Sequence, residues 1–342
     1  MTSVYWPRAR ASTFTARNDT GRHDTILAFS TGGLMKRQRW MSAVMISALS
    51  ALGVSSFAAA SSPTGTPAGS AADVKALVAA SVKIKALTPT TQSQIATSGG
   101  NFAGNYYNLP DGCLTATACV FGDTSSSKTL VLYGDSHIRM WLAPLITIAT
   151  TNHLKIVIVG HAGCPVAAVT IPGGTYGACA QYRSSGEAVI NALKPQAVLI
   201  GERTSYPAYK GTDAQWGAGL QTTLNNLAPS GATIALMGDI QVFSVTLPSC
   251  LAIHPNGLAL CAGKNPNKAI AGHETGESKV ATTNHLLYVD PTPWLCTKTL
   301  CSPVIGDYLP YSDSQHVAVP YSRYLTMVLA TALTPLVSAA TR

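Results

Sequence analysis

Five short apolar runs divide residues 129–289: Thr129–Tyr133, Lys155–Val159, Ala197–Ile200, Thr233–Met237 and Leu286–Val289. Four of them stop at a glycine, respectively Gly134, Gly160, Gly201 and Gly238. Unbroken runs of this length, rich in branched side chains, suit strands buried on both faces, as in a parallel sheet. Segments with helical spacing follow them: Met140–Thr151, Tyr182–Leu193 before Pro195, Gln215–Leu227 before Pro229, and Tyr321–Val337. Strand–helix alternation with right-handed crossovers predicts an α/β domain. Five strands are the count of a flavodoxin-like, three-layer α/β/α sandwich around a five-stranded parallel sheet. A weaker pattern over Asp73–Leu87 predicts an N-terminal arm packed on that domain. No block recurs at a fixed period, which excludes solenoids and propellers.

The segment before this pattern reads as an export signal. Met35-Lys36-Arg37-Gln38-Arg39 is basic, Met41–Phe57 is apolar, and Ala58-Ala59-Ala60 is an A-x-A cleavage site. Residues 35–60 are therefore expected to be a signal peptide and the domain to be secreted or extracytoplasmic. An uncleaved membrane anchor is the rival reading, because the apolar run approaches spanning length. Residues 1–34 are polar and aperiodic. They read as an extension upstream of a translation start at Met35, with a cytosolic tail as the alternative. Residues 61–99 are expected to be linker and arm, and 100–342 the α/β domain.

Charge follows the same division. The chain carries a net +8, but seven of its 23 basic residues precede Met41. From residue 61 onward 16 basic face 13 acidic residues. That balance provides no basic stripe for neutralising phosphates, so nucleic acid is not an expected partner.

All eight cysteines (Cys113, Cys119, Cys164, Cys179, Cys250, Cys261, Cys296, Cys301) follow the export signal. An even number in an exported chain points to disulfides. Eight cysteines allow 105 pairings. Pairing of neighbours is the simplest of them, and would staple short loops. The rival is a zinc site, but there is no C-x-x-C and no H-x-x-x-H spacing. Neither a metal nor a cofactor is expected.

Ligands of such sheets gather beyond the C-terminal strand ends. The candidate turns there are Gly134-Asp135-Ser136-His137, Gly160-His161-Ala162-Gly163-Cys164-Pro165, Gly201-Glu202-Arg203 and Gly238-Asp239. A last loop carries Tyr311-Ser312-Asp313-Ser314-Gln315-His316. Ser136 stands where a strand turns into a helix, a suitable place for a nucleophile whose own N–H can meet an oxyanion. His316 is the candidate base, and Asp313, three residues earlier, can hold its imidazole in one tautomer. The blander readings are that Ser136 and Asp313 are caps and His316 a surface residue. His137 is expected at the sheet end or substrate rim, Asp135 in hydrogen bonds of the turn, and Asp239 as a loop cap. Trp141 and Trp294 are expected in the core.

The strand followed by Gly-Asp-Ser-His, with a terminal Asp-x-x-His, resembles the SGNH (GDSL-like) hydrolase superfamily. More narrowly it is similar to the extracytoplasmic SGNH domain attached to bacterial acyltransferase-3 membrane proteins. The likeness runs over about residues 100–338. It rests on Cys113…Cys119-Val120-Phe121-Gly122-Asp123, Val131–His137 with Trp141 and Pro144, Cys164-Pro165, Cys250 and Cys261, Trp294-Leu295-Cys296 and Cys301, then Asp313 and His316.

The resemblance implies an SGNH hydrolase fold and an exported serine esterase or O-acyltransferase. Its substrate would be O-acyl, chiefly O-acetyl, groups of a cell-surface glycan. Ser136 would carry the acyl group, His316 would act as base and then acid, and Asp313 would orient His316. Two departures stand out. Where the superfamily places an oxyanion Asn after strand three, this chain has Gly201-Glu202-Arg203-Thr204. The oxyanion would then rest on the Ser136 and Gly163 N–H groups, with Arg203 as a further candidate and Asp135 and His137 beside them. The chain also has no multi-span acyltransferase segment, so a transferase would need a separate membrane protein as acyl donor. The missing Asn supports a competing expectation, a non-catalytic surface module that binds glycan or a membrane acyltransferase. An exported lipase or thioesterase is the third. Loops rich in Gly, Thr, Ser and Pro, without a long apolar lid, favour a polar substrate over it.

Overall fold

The structure, a computed structural model, describes residues 67–173, 176–264 and 272–342. The expected extension, the signal peptide and the first linker residues lie outside the described residues. The arm begins with α1 (Ala71–Ser81), where Ser70 Oγ accepts the Asp73 N–H at 3.2 Å. This helix is shorter than the expected Asp73–Leu87. Ser81 Oγ donates to Leu77 O and accepts the Gly306 N–H, which fixes the helix end against the domain. Pro89 then opens α2 (Pro89–Ile95) behind a reciprocal Thr88–Thr91 cap, and α3 (Ala103–Tyr106) follows.

The domain continues through β1 (Gly112–Cys113), β2 (Val120–Gly122), β3 (Thr129–Gly134), α4 (Ser136–Arg139), α5 (Leu142–Thr151) and β4 (Lys155–His161). Next come α6 (Cys179–Leu193), β5 (Ala197–Gly201), α7 (Asp213–Leu227), β6 (Thr233–Met237) and α8 (Leu247–Ile253). The last third holds β7 (Gly263–Lys264), α9 (Glu274–Thr283), β8 (Leu287–Val289), β9 (Leu300–Cys301), α10 (Val319–Tyr324), α11 (Thr326–Ala332) and α12 (Thr334–Ala340).

Five strands pair in parallel in the order β4-β3-β5-β6-β8. That is the flavodoxin-like order, with β3 beside the point where the connection changes direction. The five apolar runs are these five strands. Two short antiparallel strands, β1 and β2, add to β4 and make the sheet seven-stranded. Both faces are covered, and the pleat explains how. Leu130 and Leu132 of β3, with Ile156 and Ile158 of β4, enter one core with α1, α5 and α10–α12. Val131, Tyr133, Val157 and Val159 enter the other, with residues of α6, α7 and α9. Alternate side chains of one strand thus feed opposite layers, so the run is apolar in both phases once past its first residue.

The last helix differs from its expected form. Tyr321–Val337 was expected as one element and is three, joined at Leu325 and Leu333, where ψ is 3°. Pro335 lacks the N–H needed to extend α11, and both joints bury a leucine completely. Helix α9 was not expected. Its sequence, Glu-Thr-Gly-Glu-Ser-Lys-Val-Ala-Thr-Thr, has a Gly and three Thr and no clear apolar stripe.

Four disulfides staple the loops: Cys113–Cys119, Cys164–Cys179, Cys250–Cys261 and Cys296–Cys301. Each pairs sequence neighbours. Among the described residues no helix is long and apolar enough to cross a membrane, and no group of side chains is arranged to hold a metal ion.

The C-terminal ends of β3, β4 and β5 come unusually close. A Cβ on Gly134 would lie 1.8 Å from Gly201 O, and one on Gly160 would lie 2.1 Å from Gly134 O. Gly160 also has a φ of +128°. Gly160→Ala is therefore expected to destabilise the protein by about 3 kcal/mol or more. Urea denaturation beside a surface control such as Ser184→Ala checks this; equal midpoints would contradict it.

Candidate active site

The turn after β3 is built around Asp135. Its Oδ1 accepts the His137 N–H at 2.8 Å, capping α4, and its Oδ2 accepts the Tyr206 hydroxyl at 2.9 Å. Both oxygens also face the Arg203 N–H, at 3.2 and 3.1 Å. One buried carboxylate thus ties the β3 turn to the β5 turn and leaves Ser136, the next residue, half-buried at the start of α4.

The last loop approaches from the opposite side. Asp313 Oδ1 accepts the backbone N–H groups of Gln315 and His316, at 2.7 and 2.9 Å. Its Oδ2 lies 2.7 Å from His316 Nδ1, and His316 Nε2 lies 2.8 Å from Ser136 Oγ. With Nδ1–H donating to the carboxylate, Nε2 carries the lone pair that accepts the serine proton. The loop itself is held by the Phe243 and Leu247 N–H groups, which donate to Ser314 O and Asp313 O.

Burial sets the electrostatics. It raises Asp313, but the bonds from His316 and from two backbone N–H groups outweigh it, and the carboxyl stays below its usual value. Burial pushes His316 below its usual 6.5. The Asp313 bond opposes that fall, and the neighbouring His137 adds to it. An unprotonated imidazole between an ionised carboxylate and a serine hydroxyl can deprotonate that hydroxyl as it attacks a carbonyl carbon.

The other expected site residues are distributed unevenly. Gly163 has φ +75° and open space where a Cβ would stand. It sits on a turn closed by Cys164 N–H to His161 O and pinned by Cys164–Cys179. Arg203 is half-buried, and its Nε donates to Ser205 O while its guanidinium lies 5.1 Å over the Tyr206 ring. Asp135 makes the expected hydrogen bonds of the turn, and His137 is buried beside it at the end of the sheet; the two are 0% and 2% exposed. Asp239 caps Ile240 and Thr204, as a loop cap would, and also binds His137. Trp141 and Trp294 are buried against each other, edge to face.

Sequence reading missed one wall residue. Phe102, at the start of α3, packs on His316 with ring centroids 4.3 Å apart. Phe102 lies in the short Gly- and Asn-rich segment 98–107, which is too brief for its aromatics to show a helical period. It also missed the buried acids beneath the site. Glu202 accepts the Ala167 N–H at 2.9 Å and the Trp216 indole N–H at 3.2 Å. Burial pushes it from 4.5 to about 8. Glu277 of α9, hydrogen-bonded to Glu202, is pushed well up by burial and by the nearby carboxylates. Two buried carboxyls so placed hold at least one proton between them at neutral pH.

A family model, SGNH domain (fused to AT3 domains), matches residues 106–331. None of the curated proteins matches the sequence. Among solved structures, the chain is similar to the periplasmic domain of a lipopolysaccharide acetyltransferase from Salmonella ser. Paratyphi A. The TM-score is 0.52 at 13% identity, over 70% of this chain and 97% of that one. A Bacteroides fragilis protein assigned as an acylhydrolase gives 0.40 at 12% identity, over 69% and 95% of the two chains. The acetyl xylan esterase AlAXEase gives 0.38 at 12% identity, over 60% and 98%.

Two outcomes follow from the charges. The acid limb of kcat/KM for an aryl acetate is expected below pH 6.5, the ordinary histidine value; a limb at pH 7 or above would count against the lowered His316. Glu202 has a folded pKa raised from 4.5 to about 8, so its stability contribution is present below 4.5 and lost as pH rises through about 8. The melting temperature should fall from about pH 6 to 9. Glu202→Gln should flatten that fall, and an unchanged slope would contradict the assignment.

Proposed function

The chain belongs to the family of SGNH domains fused to AT3 domains, and we propose that it is an exported serine enzyme that moves O-acyl, chiefly O-acetyl, groups on a cell-envelope glycan. Family membership makes it an enzyme of acyl-ester chemistry, an SGNH-type ester hydrolase or O-acyltransferase. The single observation that carries the finer reading is the unbroken chain Ser136 Oγ, His316 Nε2, His316 Nδ1, Asp313 Oδ2, with contacts of 2.8 and 2.7 Å.

In this reading Ser136 Oγ attacks the ester carbonyl while its proton passes to His316 Nε2. Asp313 keeps its own charge and stabilises the imidazolium that forms. The tetrahedral oxyanion meets the Ser136 and Gly163 N–H groups. Collapse breaks the ester bond, His316 returns the proton to the leaving alkoxide, and an acyl-Ser136 ester remains. Water, or a sugar hydroxyl, then gives its proton to His316 and attacks the acyl carbon; the acyl–Oγ bond breaks and His316 returns the proton to Ser136 Oγ. Hydrolysis and transfer share every residue and differ only in that acceptor.

Location and partner follow the same reading. Four disulfides need an oxidising compartment, and the similar Salmonella domain is periplasmic. The family's fusion to AT3 domains supports a membrane protein as acyl donor for this chain.

The test uses the full oxidised chain with p-nitrophenyl acetate, and intact-mass detection of an acetyl adduct. Ser136→Ala and His316→Ala are expected to lower turnover by about a thousandfold or more, and Ser136→Ala to abolish the adduct. Turnover that survives in Ser136→Ala would overturn the assignment.

A further inference from the structure

A second histidine–aspartate pair lies directly behind the first. His137 follows Ser136 in α4 but is buried, with Nδ1 2.5 Å from Asp239 Oδ1. Asp239 belongs to the turn after β6. Its Oδ1 also accepts the Ile240 N–H at 2.8 Å. Its Oδ2 accepts the Thr204 N–H at 2.8 Å and the Thr204 hydroxyl at 3.2 Å. The carboxylate is thus fixed from three sides, and it fixes the imidazole. The other ring nitrogen, Nε2, is buried without a hydrogen-bond partner in the protein. The His137 ring meets the His316 ring edge to face, with centroids 5.1 Å apart.

The charges around the pair are unequal. Facing His316 are Asp313 from its own loop, and Asp135 and His137 from the β3 turn; Phe102, from the arm, is uncharged. Facing His137 are Asp239, Asp135 and the Arg203 guanidinium. Behind Asp239 stand Glu274 and Glu277 of α9, with Glu202 beyond them, and the phenols Tyr288 and Tyr311. Burial raises all three glutamates, Glu274 to about 7 and Glu202 to about 8, so on the acid side they are neutral. Asp239 then holds the negative charge of that cluster. Burial opposes a charge on His137, but Asp239 outweighs burial and raises it, while Asp239 itself is held low.

We propose that His137 and Asp239 form a buried positioning pair for the triad: an imidazolium, anchored by Asp239, whose charge beside His316 keeps that histidine in its neutral, proton-accepting form under mildly acidic conditions. The inference rests on the triad reading above. His137 does not touch substrate; it acts through His316. A cation beside His316 disfavours a second one, so the base stays free at a pH where an isolated histidine would be largely protonated. Once the serine proton arrives, the same neighbour makes His316 a stronger acid toward the leaving alkoxide.

The test has two readouts on the full oxidised chain. The first is an imidazole 15N titration of the unsubstituted protein. His137 is expected to be protonated on both nitrogens at a pH where His316 is neutral; a neutral His137 there would overturn the proposal whether or not any variant folds. The second is the pH dependence of kcat/KM for p-nitrophenyl acetate in His137→Gln and Asp239→Asn. Both are expected to move the acid limb up by about one unit, so that kcat/KM near pH 5.5 falls about tenfold further than near pH 8. A purely structural role would lower activity equally at every pH, and that result would also overturn the pairing. Ser136→Ala runs beside them. Turnover surviving there would sink the triad itself, whereas serine-dependent turnover with an unmoved acid limb would sink only the role of His137 and Asp239.

Discussion

The site depends on how closely three backbones approach at one edge of the sheet. Gly134 and Gly160 leave no room for a Cβ between β4, β3 and β5, and a Cβ on Gly201 would press on Ile138 of α4. That approach lets the Asp135 carboxylate reach the Arg203 N–H on the next strand's turn. Asp135 in turn caps α4 and so sets where Ser136 stands. The constraint is steric before it is chemical: the Ser136 side chain is placed by backbone contact and one buried carboxylate.

The two histidine–aspartate pairs show what burial does to the same chemical unit. Asp313 has a partly exposed side chain and takes three N–H donors, so it remains ionised beside His316. Asp239 is wholly enclosed and survives as an anion because His137, Thr204 and Ile240 all donate to it. Around it, Glu202 and Glu274 also accept hydrogen bonds, but burial and the neighbouring carboxylates outweigh them, and with Glu277 they take up protons instead. A low-dielectric floor can hold one carboxylate charge if it is surrounded by donors, and its neighbours must then neutralise.

The sequence carried the sheet well and the site in part. The five parallel strands could be read because each buries both faces, which forces an unbroken apolar run ending at a turn residue. Ser136, Asp313 and His316 could be singled out because each follows a strand or precedes the last helix, and because Asp-x-x-His is a local unit. What could not be read depends on contacts without a period. His137 and Asp239 are 102 residues apart and meet only through the β3–β5–β6 order. Phe102 reaches His316 from an arm with no amphipathic pattern. β1 and β2 are too short to alternate, and α9 is held by its neighbours rather than by its own propensities.

The four disulfides join cysteines only 6, 15, 11 and 5 residues apart. No covalent link spans two strands of the parallel sheet. Each crosslink can therefore close within its own short segment, before the next pair of cysteines is in place. The long-range order of the sheet is left to noncovalent contacts, so the staples fix their own short segments without dictating the sequence in which the core assembles.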